Sequence, residues 1–217
     1  FNLYKRVPMS LRKEKSARLK VQILEQTLKH VGKRSFEDLY VDDICEKVKI
    51  SKVTFFKYFP QKEDVLMYFL RVCCLKRLIE LRDKPKAGTQ GIYYLFDKAA
   101  EEFEQYPGMM LSMVAYMADM KRGIKPFPVK PEEKELLYPG VDDIKDVEIQ
   151  SLDQMIERFT LEAILNKEIT KSTATRDITN LLMSNLLGSI ITAHTHQVNA
   201  PRLFFKRNAE WALKGLA

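Results

Sequence analysis

The sequence predicts an all-α protein, and three observations carry that expectation. Apolar residues recur at helical spacing through most of the chain, no stretch of convincing length alternates as a strand would, and Pro and Gly gather in short clusters between the periodic segments. With 217 residues, 46% of them hydrophobic and 30% charged, the chain holds enough apolar mass for a sizeable core. Disorder and a collagen-like fibre are excluded.

Each element has its own signal. From Leu11 to Val31, the residues Ala17, Val21, Leu24, Leu28 and Val31 advance by four, three, four and three, which is one helical stripe, and Gly32 supplies the stop. A short helix is expected from Val41 to Val48, with Asp42 and Asp43 favouring the positive end of its dipole and Val41, Ile44, Cys45 and Val48 facing inward. Ser51 is the expected N-cap of a third helix, barely two turns long, which ends before Pro60 because the residue preceding a proline avoids helical geometry. Pro60 to Asp64 opens a longer helix, ending at Asp83, in which Val65, Leu66, Phe69, Val72 and Cys73 keep the spacing. Lys84 to Gly91 is a loop. Helices are expected from Gly91 to Tyr106 and from Met109 to Met120, divided by Pro107-Gly108. Gly123 to Gly140, with Pro126, Pro128, Pro131 and Pro139, is expected to be a long loop. Two long helices follow, from about Asp146 to Asn166 and from about Thr173 to Gln197, and a last one begins near Pro201 and includes Trp211.

The composition also limits function. Leu181 to Ile191, the most apolar stretch, is interrupted by Ser184, Asn185 and Ser189 and falls far short of the roughly 20 residues a bilayer span needs. No transmembrane helix is expected. Phe1 to Ser10 has no apolar run before a small-residue cleavage site, so no secretory signal is visible. Cys45, Cys73 and Cys74 build neither a disulfide framework nor a zinc ribbon, and a reducing cytoplasm is the expected compartment. Nothing suggests an enzyme, a metal or a cofactor. No glycine loop cradles phosphate; His194 and His196 point about 200° apart on a helix; His30 is isolated; and Asp42-Asp43 and Glu132-Glu133 are sequence neighbours that diverge in direction.

Positive charge is confined to one end. Residues 1–60 hold 14 Lys and Arg against 7 Asp and Glu, whereas residues 61–217 hold 22 of each sign. A small basic segment on a neutral body fits a nucleic-acid-binding module. Because ten of the 14 cations precede Ser35, a solvated basic tail fits the charge equally well.

The spacing of the first three helices separates these readings. Two short helices joined by a tight turn and backed by a third form a helix-turn-helix, whose second member must be slim enough for a groove about 12 Å wide. On that helix Phe55 and Phe59 lie four apart as inward anchors, leaving Lys52, Val53, Phe56 and Lys57 on the other face.

The run Gly32 to Leu66 resembles the DNA-binding domain of the TetR family of bacterial transcriptional regulators, above all in Val41-Asp42-Asp43-Ile44 and in Ile50 through Leu66 (ISKVTFFKYFPQKEDVL). The resemblance covers about 50 residues; the remainder agrees in length and helical layout alone. It implies that Ser51, Lys52, Val53 and Thr54 face base edges and that Lys57, Tyr58 and Lys62 hold phosphates, Lys62 at the opening of the fourth helix. Capping is the competing role for Ser51. Val53, Phe56 and Tyr40 stand where the family often has glycine, tyrosine and a small hydroxyl residue. Val53 offers a surface for a thymine methyl, whereas Phe56 cannot hydrogen-bond a phosphate. For the basic leader, with Lys5, Arg6, Arg12, Lys13, Lys15 and Arg18, the two readings are added phosphate or minor-groove contacts and a disordered segment.

The resemblance further implies two domains, a head at 1–62 and a helical ligand-binding and dimerisation domain at 63–217. Phe103, Tyr106, Met109, Met110, Met113, Tyr116 and Met117 form a soft apolar group that would line a pocket for a small hydrophobic effector; plain core filling is the alternative. The helix from Thr173 to Gln197 is apolar around much of its girth and must bury more than one side. Ile178, Leu182, Leu186, Ser189 and Ala193, with Leu152, Ile156 and Phe159 of the preceding helix, are the expected homodimer interface. The expected function is a ligand-responsive repressor released from a near-palindromic operator on double-stranded DNA, through a shift of the fourth helix. The alternatives are a helical interaction module that no longer binds DNA, or an enzyme with an unrecognised site.

Overall fold

A computed structural model describes residues 11–32, 34–119, 127–170 and 172–216. The described residues form ten α-helices and two 3-10 turns, with no strand. In chain order the helices are α1 (Leu11–Val31), α2 (Val41–Val48), α3 (Lys52–Tyr58), α4 (Asp64–Asp83), α5 (Gly88–Gln105), α6 (Pro107–Ala118), α7 (Pro131–Leu137), α8 (Leu152–Leu165), α9 (Thr175–Thr195) and α10 (Pro201–Lys214). The 3-10 turns are Phe36–Asp38 and Ile144–Asp146.

Helices α1 to α3 enclose a head core of Ile23, Leu24, Val31, Phe36, Leu39, Ile44, Phe55 and Phe59, all buried. The first turn of α4 enters that core through Val65, Leu66 and Tyr68, and its later turns belong to the body. In the body α5, α8, α9 and α10 pack around one another, with Phe96, Ile156, Phe159, Leu182 and Phe205 buried between them.

Two glycines are there to permit close approach. A Cβ on Gly91 of α5 would lie 2.2 Å from the Phe159 ring of α8, and one on Gly108 of α6 would lie 1.6 Å from the Arg34 carbonyl oxygen of the head. Gly108 thus seats the body directly on the backbone that leads into α2.

The expected loop over residues 123–140 contains α7. Pro131 sits in its first turn, where a proline's missing N–H costs nothing, and Glu133 completes the cap by accepting the Lys130 N–H at 3.1 Å. Residues 120–126 lie outside the described residues, as do Lys5 and Arg6 of the basic leader. Helix α8 starts at Leu152, later than expected, because Ser151 and Gln154 form a capping box there.

Candidate nucleic-acid interface

The turn between α2 and α3 is built by three residues. Lys49 adopts a left-handed φ of 58°, which lets its N–H reach the Glu46 carbonyl while Ile50 N–H reaches Cys45. Ser51 then caps α3, its Oγ accepting the Thr54 N–H at 3.2 Å. The Ser51 and Thr54 hydroxyls also bond each other at 3.0 Å.

Phe55 and Phe59 fasten α3 to its supports. Their ring centroids are 5.9 Å apart, and Phe59 meets Tyr68 of α4 at 5.6 Å and stacks on Phe127 at 5.3 Å. With both rings inward, the opposite face of α3 projects Lys52, Val53, Phe56 and Lys57 into solvent. Val53 is 81% exposed and Tyr40, at the start of α2, is 72% exposed; large apolar groups held in water on a rigid, cationic face are the mark of a contact surface.

Lys52 is exposed but engaged. Its Nζ lies 2.8 Å from Asp42 Oδ2 of α2, and that hydrogen bond holds the ammonium above the usual lysine range. Thr54 and Tyr58 are half-buried. Lys57 and Tyr58 form one wall of an open groove whose other walls are Arg12, Lys13 and Ser16 of α1 and Lys130 before α7. Lys130 gave no signal in the sequence, since it reaches this face only through the path of the chain into α7.

Lys62 is placed differently from the phosphate contact expected of it. Its Nζ reaches three carbonyl oxygens, of Phe36 at 3.3 Å, Glu37 at 3.2 Å and Leu39 at 3.2 Å, and lies 5.0 Å from the Phe36 ring centroid. An ammonium has three N–H donors, and all three are spoken for. Nearby, Asp64 Oδ2 accepts the Gln61 N–H at 2.8 Å, so a carboxylate occupies the helix opening. Lys62 ties α4 to the 3-10 turn that launches α2 and so orients the helix-turn-helix from behind.

Residues 23–68, from the middle of α1 to the first turns of α4, match the family model of bacterial regulatory proteins of the tetR family. The head matches the tetR family. The matched span includes α2, the turn and α3 but not Arg12, Lys13, Ser16 or Lys130, and a tetR-family head supports a DNA-binding regulator. The crystal structure of a TetR transcriptional regulator from Rhodococcus sp. RHA1 has the same fold, with a TM-score of 0.59 over 94% of this chain and 100% of that one, at 11% identity. No curated protein matches the chain in sequence. Among the described residues no helix is long and apolar enough to cross a membrane.

The body contains a cavity of about 260 Å³ bounded by α4, α5, α6, α8 and α9. Of the seven residues expected to line a pocket, Met110, Met113 and Met117 do so. Met109 is fully buried elsewhere, Phe103 packs on Phe205 at 6.1 Å, Tyr106 meets Phe69 at 6.0 Å, and Tyr116 is not on the wall. The division follows the helix: 110, 113 and 117 share one face of α6, whereas 109 and 116 are turned away from it. The wall is completed by Phe69, Cys73 and Arg77 of α4, Leu95, Ala99 and Glu102 of α5, and Met155, Leu186 and Ile190 of α8 and α9.

The residues expected at a dimer interface lie inside the protomer. Ile156, Phe159, Ile178, Leu182, Leu186, Ser189 and Ala193 are buried, and the half-buried Leu152 lines the cavity with Leu186. Ser189 Oγ accepts Asn208 Nδ2 of α10 at 2.9 Å. The stripe 178, 182, 186, 189 and 193 is therefore the inward face of α9. Its outward face carries Leu181, Gly188 and Ile191, and α10 exposes Leu203 and Trp211.

Proposed function

We propose that the chain is an effector-responsive repressor that binds a near-palindromic operator as a homodimer. In this reading Lys52, Val53 and Thr54 meet base edges, Ser51 fixes the start of the reading helix, and Lys57, Tyr58 and Lys130 hold phosphates. The outward faces of α9 and α10, with Leu181, Ile191, Leu203 and Trp211, take a second copy of the chain. The two α3 helices then enter successive major grooves about 34 Å apart.

The observation that carries the regulatory part is the double membership of α4. Tyr68 stands in the head core against Phe59, and the next residue, Phe69, begins the wall of the body cavity, followed by Cys73 and Arg77. A molecule entering the cavity displaces α4 and, through Tyr68 and Phe59, the seat of α3. Release of DNA by effector follows if the two heads lose their groove spacing.

Fluorescence anisotropy with DNA from the chain's own upstream region tests the reading. Saturable binding that weakens at least tenfold with Lys52→Ala or Lys57→Ala supports it. Unchanged affinity in both variants, or no binding at any salt concentration, favours a helical interaction module without DNA.

A further inference from the structure

The segment that leads into α7 is fastened to the head residue by residue. Phe127 stacks on Phe59, an inward anchor of α3, with centroids 5.3 Å apart. The Pro128 carbonyl accepts Lys20 Nζ of α1 at 3.3 Å, and Val129 is buried. Glu133 Oε2 accepts the Lys130 N–H at 3.1 Å, while both oxygens of that carboxylate take Lys20 Nζ at 3.0 Å. Connecting segments ordinarily ride the surface and are held loosely. This one is built like core, and what it delivers to the surface is the exposed side chain of Lys130.

The groove that Lys130 borders is also walled by Arg12 and Lys13 of α1 and by Lys57 and Tyr58 of α3. Its two carboxylates are already committed, Glu133 to Lys20 and Glu132 to Lys13 at 3.5 Å. Among the described residues, Arg12, Lys57 and Lys130 have no carboxylate within ion-pair distance. Cations gathered around an open groove without counter-charges of their own raise a field that attracts a polyanion. Lys57 belongs equally to the exposed face of α3, so the groove is continuous with the surface that meets DNA in the proposed reading.

We infer that α7 is a DNA-contacting arm of the body: with Arg12 and Lys13 it closes a groove on the sugar-phosphate backbone bordering the major groove that α3 enters, and the buried Lys20–Glu133 pair holds Lys130 in place for it. The inference rests on the reading that α3 binds duplex DNA. Lys130 is then the phosphate contact, and Glu133 and Lys20 are positioning residues that touch no DNA. The backbone bridges head and body, since Lys57 comes from one and Lys130 from the other.

Acetylation of the native full chain, read by mass spectrometry with and without duplex DNA from its own upstream region, tests the contact without a variant. DNA should protect Lys57 and Lys130 but not Lys86, which is exposed in the loop before α5; inorganic phosphate at matched ionic strength should protect none of them. In anisotropy titrations over a salt series, Lys130→Gln should flatten the slope by about one per protomer with the unfolding transition of the native chain. Lys20→Met with Glu133→Leu leaves the net charge and Lys130 unchanged but removes what pins it. That pair should flatten the slope as much as Lys130→Gln does, and adding Lys130→Gln to it should change nothing further. If the double variant does not fold, acetylation and Lys130→Gln decide. Lys130 equally reactive with and without DNA, equal protection by inorganic phosphate, or a native slope in Lys130→Gln or in the folded double variant overturns the inference. Protection of Lys57 by DNA in any of these cases leaves the reading of α3 standing, whereas a native chain that binds no DNA at any salt concentration removes both.

Discussion

Lys20 of α1 and Glu133 of α7 are joined by a closed ion pair, with Nζ 3.0 Å from each carboxylate oxygen and both side chains almost wholly buried. Nζ also donates to the Pro128 carbonyl at 3.3 Å and lies over the rings of Tyr68, Phe127 and Phe59, at 4.4, 4.8 and 5.8 Å from their centroids. Burial lowers the Lys20 pKa, and the attraction of Glu133 works against that fall. One ammonium therefore fastens three parts of the molecule: the head through Phe59, the helix shared by head and body through Tyr68, and the segment carrying α7.

Removing one partner leaves the other charge buried and alone, which in comparable pairs costs about 3–5 kcal/mol. Lys20→Met is expected to destabilise the chain by that order, while Lys20→Met with Glu133→Leu recovers most of the loss because no orphaned carboxylate remains. Urea denaturation of the two variants checks it. A double variant no more stable than the single would show that the pair's geometry, and not the stranded charge, holds α7 to the head.

Gly108 gives a sharper test of the same junction. A methyl group there would meet a backbone oxygen, which cannot rotate away as a side chain can. Overpacking in ordinary cores costs about 1–3 kcal/mol, and Gly108→Ala should reach the upper part of that range. Thermal unfolding and limited proteolysis across residues 32–40 measure it, with cleavage expected to appear as the head loosens from α6.

The acid response of Glu102 follows from its surroundings. Burial raises its pKa more than Arg77 lowers it, so the folded chain holds this proton more tightly than the unfolded chain does. The resulting stability is fully present below the unfolded pKa and is lost as pH rises through the folded one. The stability of the native chain relative to Glu102→Gln should accordingly decline from acid toward neutral pH, as read by urea denaturation over that window. A difference that grows with pH would mean that Arg77 dominates instead.

Much of the head was legible because its signals are local. Ser51 as a cap, the phenylalanine pair at 55 and 59 and the stripe from Ala17 to Val31 each depend on residues within a few turns of one another. The body was legible as helices but not as faces. The apolar stripe on α9 looked like a surface for a partner, yet only the packing of α8 and α10 decides which side of a largely apolar helix turns inward. Lys62 shows the same limit: its neighbours Phe36 and Leu39 lie more than twenty positions away, so its sequence context suggested phosphate where the fold supplies carbonyl oxygens. The Arg77 and Glu102 pair had no sequence signature at all, since residues on two helices separated by a loop share no spacing rule.

Lys52, Lys57 and Lys62 separate cleanly in their expected effects on DNA binding. Lys57→Ala should lower affinity and reduce the salt slope by about one, as loss of one phosphate contact does. Lys62→Met should leave the slope unchanged and destabilise the head by about 1–3 kcal/mol, because it strips hydrogen bonds from three carbonyls, two of them in part-buried surroundings. Asp42→Asn releases Lys52 from its 2.8 Å pairing and should strengthen binding to unrelated DNA while steepening the salt dependence. Anisotropy titrations over a salt series, with urea denaturation alongside, distinguish the three; a flattened slope for Lys62→Met at native stability would return that lysine to the phosphates.

The outward face of α9 and α10 decides the oligomeric state. Trp211 is 60% exposed and carries Arg207 over its ring at 5.1 Å, and Leu203 is 64% exposed on the same helix. Leu181 and Ile191 project from α9, where Gly188 leaves open space between them. Pairing this face with its own copy would bury these groups together, as an isologous interface requires. Leu181→Glu with Trp211→Glu should yield a monomer in sedimentation equilibrium with the unfolding transition of the native chain, since neither residue contributes to the protomer core. Operator affinity should fall by orders of magnitude, because a single head retains only one half-site. If the double variant sediments as the native chain does, the partner surface lies elsewhere, and the exposed leucines Leu161 and Leu165 of α8 become the place to substitute next.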